Sequence, residues 1–164
     1  HFMNSFCDNP LLIDALAASI QEDFNKHGKP EKLLLSYHGM PKRNLELGDP
    51  YYCLCQKTTR LVAEKLGLSK AEYLTTFQSR FGYAEWLQPY TDKTLEELAK
   101  SGTKNVAIVS PAFSADCLET LEELAVENRE IFMHAGGTEY RYIPALNDRK
   151  DHIVALTDLI KKQL

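Results

Sequence analysis

A histidine, three evenly spaced glutamates, an arginine and a group of aromatics are the residues of this chain best suited to chemistry. His38 sits in Ser36-Tyr37-His38-Gly39-Met40-Pro41, directly after a short apolar run. A neutral imidazole can accept a proton or bind a metal. Glu119, Glu123 and Glu127 recur at i, i+4 and i+8, so on a helix they share one face. Such a row suits a divalent cation or departing protons, because carboxylate oxygens bind these ions without holding them as thiolates would. Both features also have an ordinary reading. A lone histidine after a strand is often structural, and an amphipathic helix needs a solvated acidic side, with Leu118, Leu121, Ala125 and Phe132 expected as its core-facing stripe. Arg80 can pair with a carboxylate of the fold or of a ligand. Phe81, Tyr83, Trp86 and Tyr90 share one long loop, where aromatics cover a core or wall a binding site.

The elements that must position these residues alternate. Asn9-Pro10 opens a helix with apolar residues at Ile13, Leu16, Ala17, Ile20 and Phe24, stopped by Gly28 and Pro30. Lys32 to Tyr37 reads as a buried strand, and His38 to Pro50 as a polar loop. Tyr51 to Leu66 is a helix closed by Gly67. Tyr73 to Gln78 is a second strand, followed by the loop Ser79 to Tyr90 and a helix capped by Thr91 or Asp92 that runs to Lys100. Asn105 to Ser110 is a third strand, Asp116 to about His134 a helix, Glu139 to Ile143 a fourth strand, and Lys150 to Leu164 a final helix. Strands alternating with helices imply right-handed crossovers. The expected fold is α/β: a doubly wound, about four-stranded parallel sheet flanked by helices, in one domain over residues 1–164. Ligands of such sheets bind beyond the carboxyl ends of the strands. His38, the Arg80–Trp86 loop, the Phe113–Glu119 stretch and Pro144–Asp148 all follow strands, so they should gather at one edge, with His38, Arg80, Phe113 and Asn147 near one another.

Several function classes lack their signatures. The formal charge of -4 is evenly spread, which argues against nucleic acid as a partner. No apolar run reaches the roughly 20 residues of a membrane span. There is no phosphate-cradling glycine motif and no nucleophile elbow. The start of the chain shows neither a basic region nor an apolar signal core. Cys7, Cys53, Cys55 and Cys117 form no C-x-x-C pair and read as free thiols in a reducing cytoplasm. Residues 1–5 are expected to be linker or a cloning scar.

Four strings, SYHGMP (Ser36 to Pro41), TFQSRFGYAEWLQPYT (Thr76 to Thr91), FSADCLETLEE (Phe113 to Glu123) and YIPALND (Tyr142 to Asp148), together resemble the ferrochelatases in order and spacing. The resemblance runs from about Phe6 to the end. It implies the C-terminal domain of a two-domain enzyme that inserts ferrous iron into protoporphyrin IX to form protohaem, the last step of haem biosynthesis. On that basis His38 and Glu119 are the catalytic pair, and Trp86, Arg80 and Phe113 bind substrate. His38, Glu119, Glu123 and Glu127 are the metal-binding residues. Ferrous iron is a substrate, no other cofactor is required, and no iron–sulfur cluster is expected. The partners implied are the porphyrin, the iron and the missing N-terminal domain, with peripheral membrane association of the whole enzyme. The location implied is cytoplasmic, and this chain by itself is expected to be inactive or nearly so. Two residues depart from the family's pattern: Cys117 stands where many relatives have histidine, and Ala112 replaces a glycine. Two alternatives keep the fold: another tetrapyrrole chelatase loading cobalt or nickel, and a non-catalytic small-molecule binding domain. The resemblance further implies a widened, π-type stretch between Leu118 and Arg129, with Glu119 directed toward His38 and at least one carboxyl pKa raised by crowding.

Overall fold

The computed structural model describes residues 2–163. His1 and Leu164, and with them the expected ends of the leading segment and the final helix, lie outside the described residues. Four strands form one all-parallel sheet: β1 (Lys32–His38), β2 (Tyr73–Gln78), β3 (Asn105–Val109) and β4 (Glu139–Tyr142), in the order β2-β1-β3-β4. The central strands bury nearly every side chain, as strands covered on both faces must. The chain starts in the middle of the sheet, runs to one edge at β2, then returns past β1 to β3 and β4. The switch point therefore falls between β1 and β3, where α/β sheets open a crevice.

One face of the sheet is covered by α1 (Pro10–His27), α3 (Tyr51–Lys65) and α7 (Lys150–Lys161). Ile20, Leu33, Leu35, Val62 and Ala107 lie in that core. The other face is covered by α4 (Thr91–Lys100), α5 (Leu118–Leu121) and α6 (Asn128–His134), around Leu34, Leu95, Ile108, Leu124 and Phe132. No described helix is long and apolar enough to cross a membrane.

Three expectations change. The polar loop after β1 contains a short helix, α2 (Lys42–Glu46). The cap of α4 is Tyr90, because the Thr91 hydroxyl points inward to Ser36 and Thr76. The helix expected from Asp116 to His134 is interrupted by a π-helical stretch at Glu123–Glu127, where Glu127 N–H bonds the Glu122 carbonyl and Asn128 N–H bonds that of Glu123. Its buried positions are Thr120, Leu124, Asn128 and Phe132, spaced by four. The expected stripe fails at Leu118 and Leu121, which are 78% and 53% exposed.

Candidate active site

His38 is the last residue of β1, half-buried at the carboxyl edge. Its Nδ1–H donates to the Gly39 carbonyl at 2.7 Å. In the neutral ring this leaves the lone pair on Nε2. The Tyr51 hydroxyl, reaching from α3, donates to the His38 carbonyl at 2.9 Å. The Gly39 N–H donates to the Gln78 carbonyl at 2.8 Å, which continues the β1–β2 ladder past the histidine. A side chain at Gly39 would meet that same oxygen at 2.7 Å and the Trp86 ring at 3.0 Å. Glycine is therefore required for the backbone to pass beneath the tryptophan.

The loop after β2 lies against the loop after β1. Leu87 N–H donates to the Met40 carbonyl and Lys42 N–H to the Glu85 carbonyl, both at 2.8 Å. Trp86 pairs with Pro41, and its indole N–H donates to the Phe81 carbonyl at 2.9 Å. From the loop after β3, the Phe113 ring approaches His38 with centroids 6.4 Å apart. Phe113 and Tyr51 also wall a cavity of about 290 Å³ that reaches under Phe6 to His152.

Glu119 lies in α5, half-exposed. A hydrogen bond from the Cys117 thiol holds its carboxyl below the ordinary carboxylate range, helped by its own backbone N–H and by the charge of His38. The direction is opposite to the crowding expected of neighbouring acids. Burial pushes the Cys117 thiol up, and the bond to Glu119 adds to this. Cys117 also starts the helix, since its N–H donates to the Thr120 hydroxyl at 2.9 Å.

Glu123 is already engaged. Its Oε1 accepts the Ser79 N–H at 2.6 Å, and its Oε2 accepts the Ser79 hydroxyl. Ser79 is held at a φ of 60°, a left-handed conformation that costs a non-glycine residue about 1 kcal/mol or more. The two bonds to one carboxylate offset that strain. Glu127 is exposed and lines a separate polar cavity of about 210 Å³ with Ser79, Arg80, Asp92 and Glu123. Arg80 pairs with Asp92 at 3.3 Å and lies over the Tyr90 ring, so its partner in this structure is a carboxylate of the fold. Among the described residues, no three or more of His, Cys, Asp and Glu are close enough together to enclose a metal ion. Glu123 is clamped to Ser79, the residue that follows β2.

Two supports lay outside the sequence-based site. Gln78 is buried, and its amide donates to the Glu119 carbonyl at 2.7 Å while its Oε1 accepts the Ser36 hydroxyl at 2.8 Å. Asp116 accepts from Tyr142 at 2.6 Å, Asn147 at 2.8 Å, the Ala145 N–H at 3.1 Å and Thr120 at 3.2 Å. Burial opposes the charge on Asp116, but these hydrogen bonds outweigh it and hold the carboxyl below its ordinary value. Asn147, at a φ of 48°, in turn accepts the Asp116 N–H on its Oδ1 at 2.9 Å. Asp116 thus ties the loops after β3 and β4 to the start of α5. The only sequence signal for it was its place in a loop already rich in chemistry.

The family model for ferrochelatase matches residues 1–164. The chain belongs to the ferrochelatase family. It is 66% identical to ferrochelatase 2 of Shewanella oneidensis and 60% identical to the ferrochelatase of Shewanella denitrificans, with the whole chain and 50% of each relative covered. It is 57% identical to that of Pseudoalteromonas atlantica, over 99% of the chain and 45% of the relative. The chain spans about half the length of the curated relatives it matches. A crystal structure of a protein from Marinobacter aquaeolei, named for CbiX and cobalamin biosynthesis, superposes with a TM-score of 0.52 at 16% identity. It covers 82% of this chain and 97% of that one, a likeness of fold.

Proposed function

We propose that this chain is the C-terminal half of an enzyme that inserts ferrous iron into protoporphyrin IX to form protohaem. The observation that carries the reading is His38 at the carboxyl end of β1, with the Phe113 ring beside it and the Trp86 loop bonded to its own loop, in a chain of the ferrochelatase family. Metal insertion must remove two pyrrole protons and strip water from the ion. His38, with Nδ1 tied to Gly39, offers Nε2 as base or ligand. Glu119, its carboxyl held charged chiefly by the Cys117 thiol, would stabilise an imidazolium or a cation. Phe113 and Trp86 supply flat apolar surface beside the imidazole, suited to a macrocycle. Glu127 and Glu123 extend the acidic row outward, and Glu123 joins in metal handling when it releases Ser79.

The porphyrin would lie between this domain and an N-terminal domain. Phe81, Tyr83, Leu118 and Leu121, all exposed here, would then be covered. On this reading the whole enzyme works in the cytoplasm, associates peripherally with the membrane and needs no resident cofactor. The test is porphyrin titration with iron, cobalt and nickel insertion assays on the full-length protein and on residues 1–164. The expected result is iron insertion by the full-length protein and almost none by the half. Preference for cobalt or nickel would identify a different chelatase, and porphyrin-free behaviour with no insertion would leave a small-molecule binding domain.

A further inference from the structure

The widened turn frees a carbonyl, and a side chain from a distant strand takes it. In a regular helix the Asn128 N–H would bond the Leu124 carbonyl, four residues back. Here that N–H bonds Glu123 instead. The Leu124 carbonyl accepts the hydroxyl of Tyr140 at 2.6 Å. Tyr140 lies on β4, buried, with its ring against Phe132. Burial pushes its phenol well above the ordinary range, so the hydroxyl keeps its proton.

Two other side chains bond carbonyls nearby. Gln78 reaches Glu119, before the widening, and the Asn128 amide reaches Glu123, where its own N–H already bonds. Tyr140 is the one that meets the carbonyl from which the wide register takes the Asn128 N–H.

We infer that Tyr140 is a positioning residue for the acidic row: its hydroxyl holds the helix in the wide register and thereby sets where Glu123 and Glu127 stand relative to Glu119. The kinetic consequence rests on the metal-insertion reading, whereas the structural consequence does not. Without the hydroxyl, the wide register leaves a buried acceptor unpaired, while the regular register returns the Asn128 N–H to it. The balance moves toward the regular form by on the order of tenfold or more. In that form, residues four apart drift by about 40° around the axis. Glu123 then leaves Ser79, and Glu127 turns out of line.

The experiment is Tyr140→Phe in the full-length enzyme, read by crystal structure and by steady-state insertion of ferrous iron. Val62→Ala, a core truncation on the opposite face of the sheet, controls for lost stability. The variant is expected to show the Asn128 N–H on the Leu124 carbonyl. Its KM for iron should rise by on the order of tenfold with the KM for porphyrin unchanged. Val62→Ala should lower Tm without moving the iron KM. A Tyr140→Phe structure that keeps the wide register, or an iron KM equal to wild type, overturns the inference. If the wild-type enzyme inserts no metal, the functional reading fails, and the register in the crystal still decides this one.

Discussion

Replacing Gln78 with leucine should cost the chain about 2–4 kcal/mol, and the structure says where the loss arises. The amide is buried and makes two short bonds, to the Glu119 carbonyl at 2.7 Å and from the Ser36 hydroxyl at 2.8 Å. Ser36 keeps an alternative, since the Thr91 hydroxyl is also 2.8 Å away. Ser110 likewise keeps its bond to the Ser36 carbonyl. The Glu119 carbonyl loses the Gln78 amide where the helix begins to widen. An orphaned buried acceptor costs about 1–3 kcal/mol, and partial disruption at Ser36 adds about 1. For a chain of this size each kcal/mol lowers Tm by about 2–4 °C, so a fall of roughly 4–16 °C is expected by calorimetry or circular dichroism. Gln78→Glu separates hydrogen bonding from packing. The carboxylate can accept from Ser36 but cannot donate to Glu119, and it stands beside Glu123, whose Oε2 is 3.4 Å from the Gln78 amide nitrogen. Its folded pKa should be raised, so its penalty grows as pH rises through neutrality and shrinks toward pH 4. A leucine variant within about 0.5 kcal/mol of wild type, or a glutamate variant milder than leucine at pH 7, refutes this account.

Three further outcomes follow from the same contacts. His38→Ala should abolish metal insertion in the full-length enzyme while changing stability by less than about 1 kcal/mol, because its ring nitrogen bonds only the next residue's carbonyl and the Tyr51 contact is to its backbone; near-normal turnover would remove it from the mechanism. Asp116→Asn should destabilise at neutral pH by setting an amide donor against the donors that converge there. Because the folded pKa of Asp116 lies below its ordinary 3.8, the wild-type advantage is present above that value and fades as pH falls through the folded pKa. A gap that stays constant from pH 7 to pH 3 in urea titrations would contradict this. Burial pushes the Cys55 thiol up to about 12, whereas Cys53 is exposed, so alkylation at pH 8 should label Cys53 and spare Cys55 in the folded chain; mass spectrometry showing equal labelling would count against the packing of α3.

The fold was legible where one element obeys one period. Lys32–Tyr37 and Asn105–Val109 are apolar runs that only a sheet covered on both faces can absorb, and both are strands. Helix α2 was missed because five residues, none of them buried, carry no periodic apolar signal. The helix after Cys117 was half legible. The resemblance pointed to widening, but the core stripe was drawn with the ordinary period. Leu118 and Leu121 were placed inward for their hydrophobicity, while the helix buries Thr120 and Asn128 with Leu124 and Phe132. Thr120 is inward because its hydroxyl closes the turn at Cys117, and Asn128 because its amide serves the Glu123 carbonyl.

The candidate site divides in the same way. His38 stood out because a histidine directly follows a strand, Glu119 for its row of glutamates, and Phe113 and Trp86 for their loops and the resemblance. Gln78, Asp116 and Tyr140 did not, because a polar residue at a strand end or in a loop looks ordinary until its partner is known. Those partners lie far along the chain: Gln78 meets Glu119 41 residues later, and Asp116 meets Asn147 31 residues later. Each contact spans two of the elements whose ends form the site. Strand-end motifs therefore announce the groups that face a ligand, while the buried bonds that aim them appear only once the sheet order is known. Ser79 joins both kinds. It follows β2 among the conspicuous loop residues, yet its left-handed backbone and two bonds to Glu123 tie the acidic row to the strand beside His38. Strain of this kind persists only where surrounding contacts over-determine it. Here those contacts run from β1 through Gln78 to the widened helix, so a shift of Glu123 onto a cation must also free the backbone of the loop that carries Trp86.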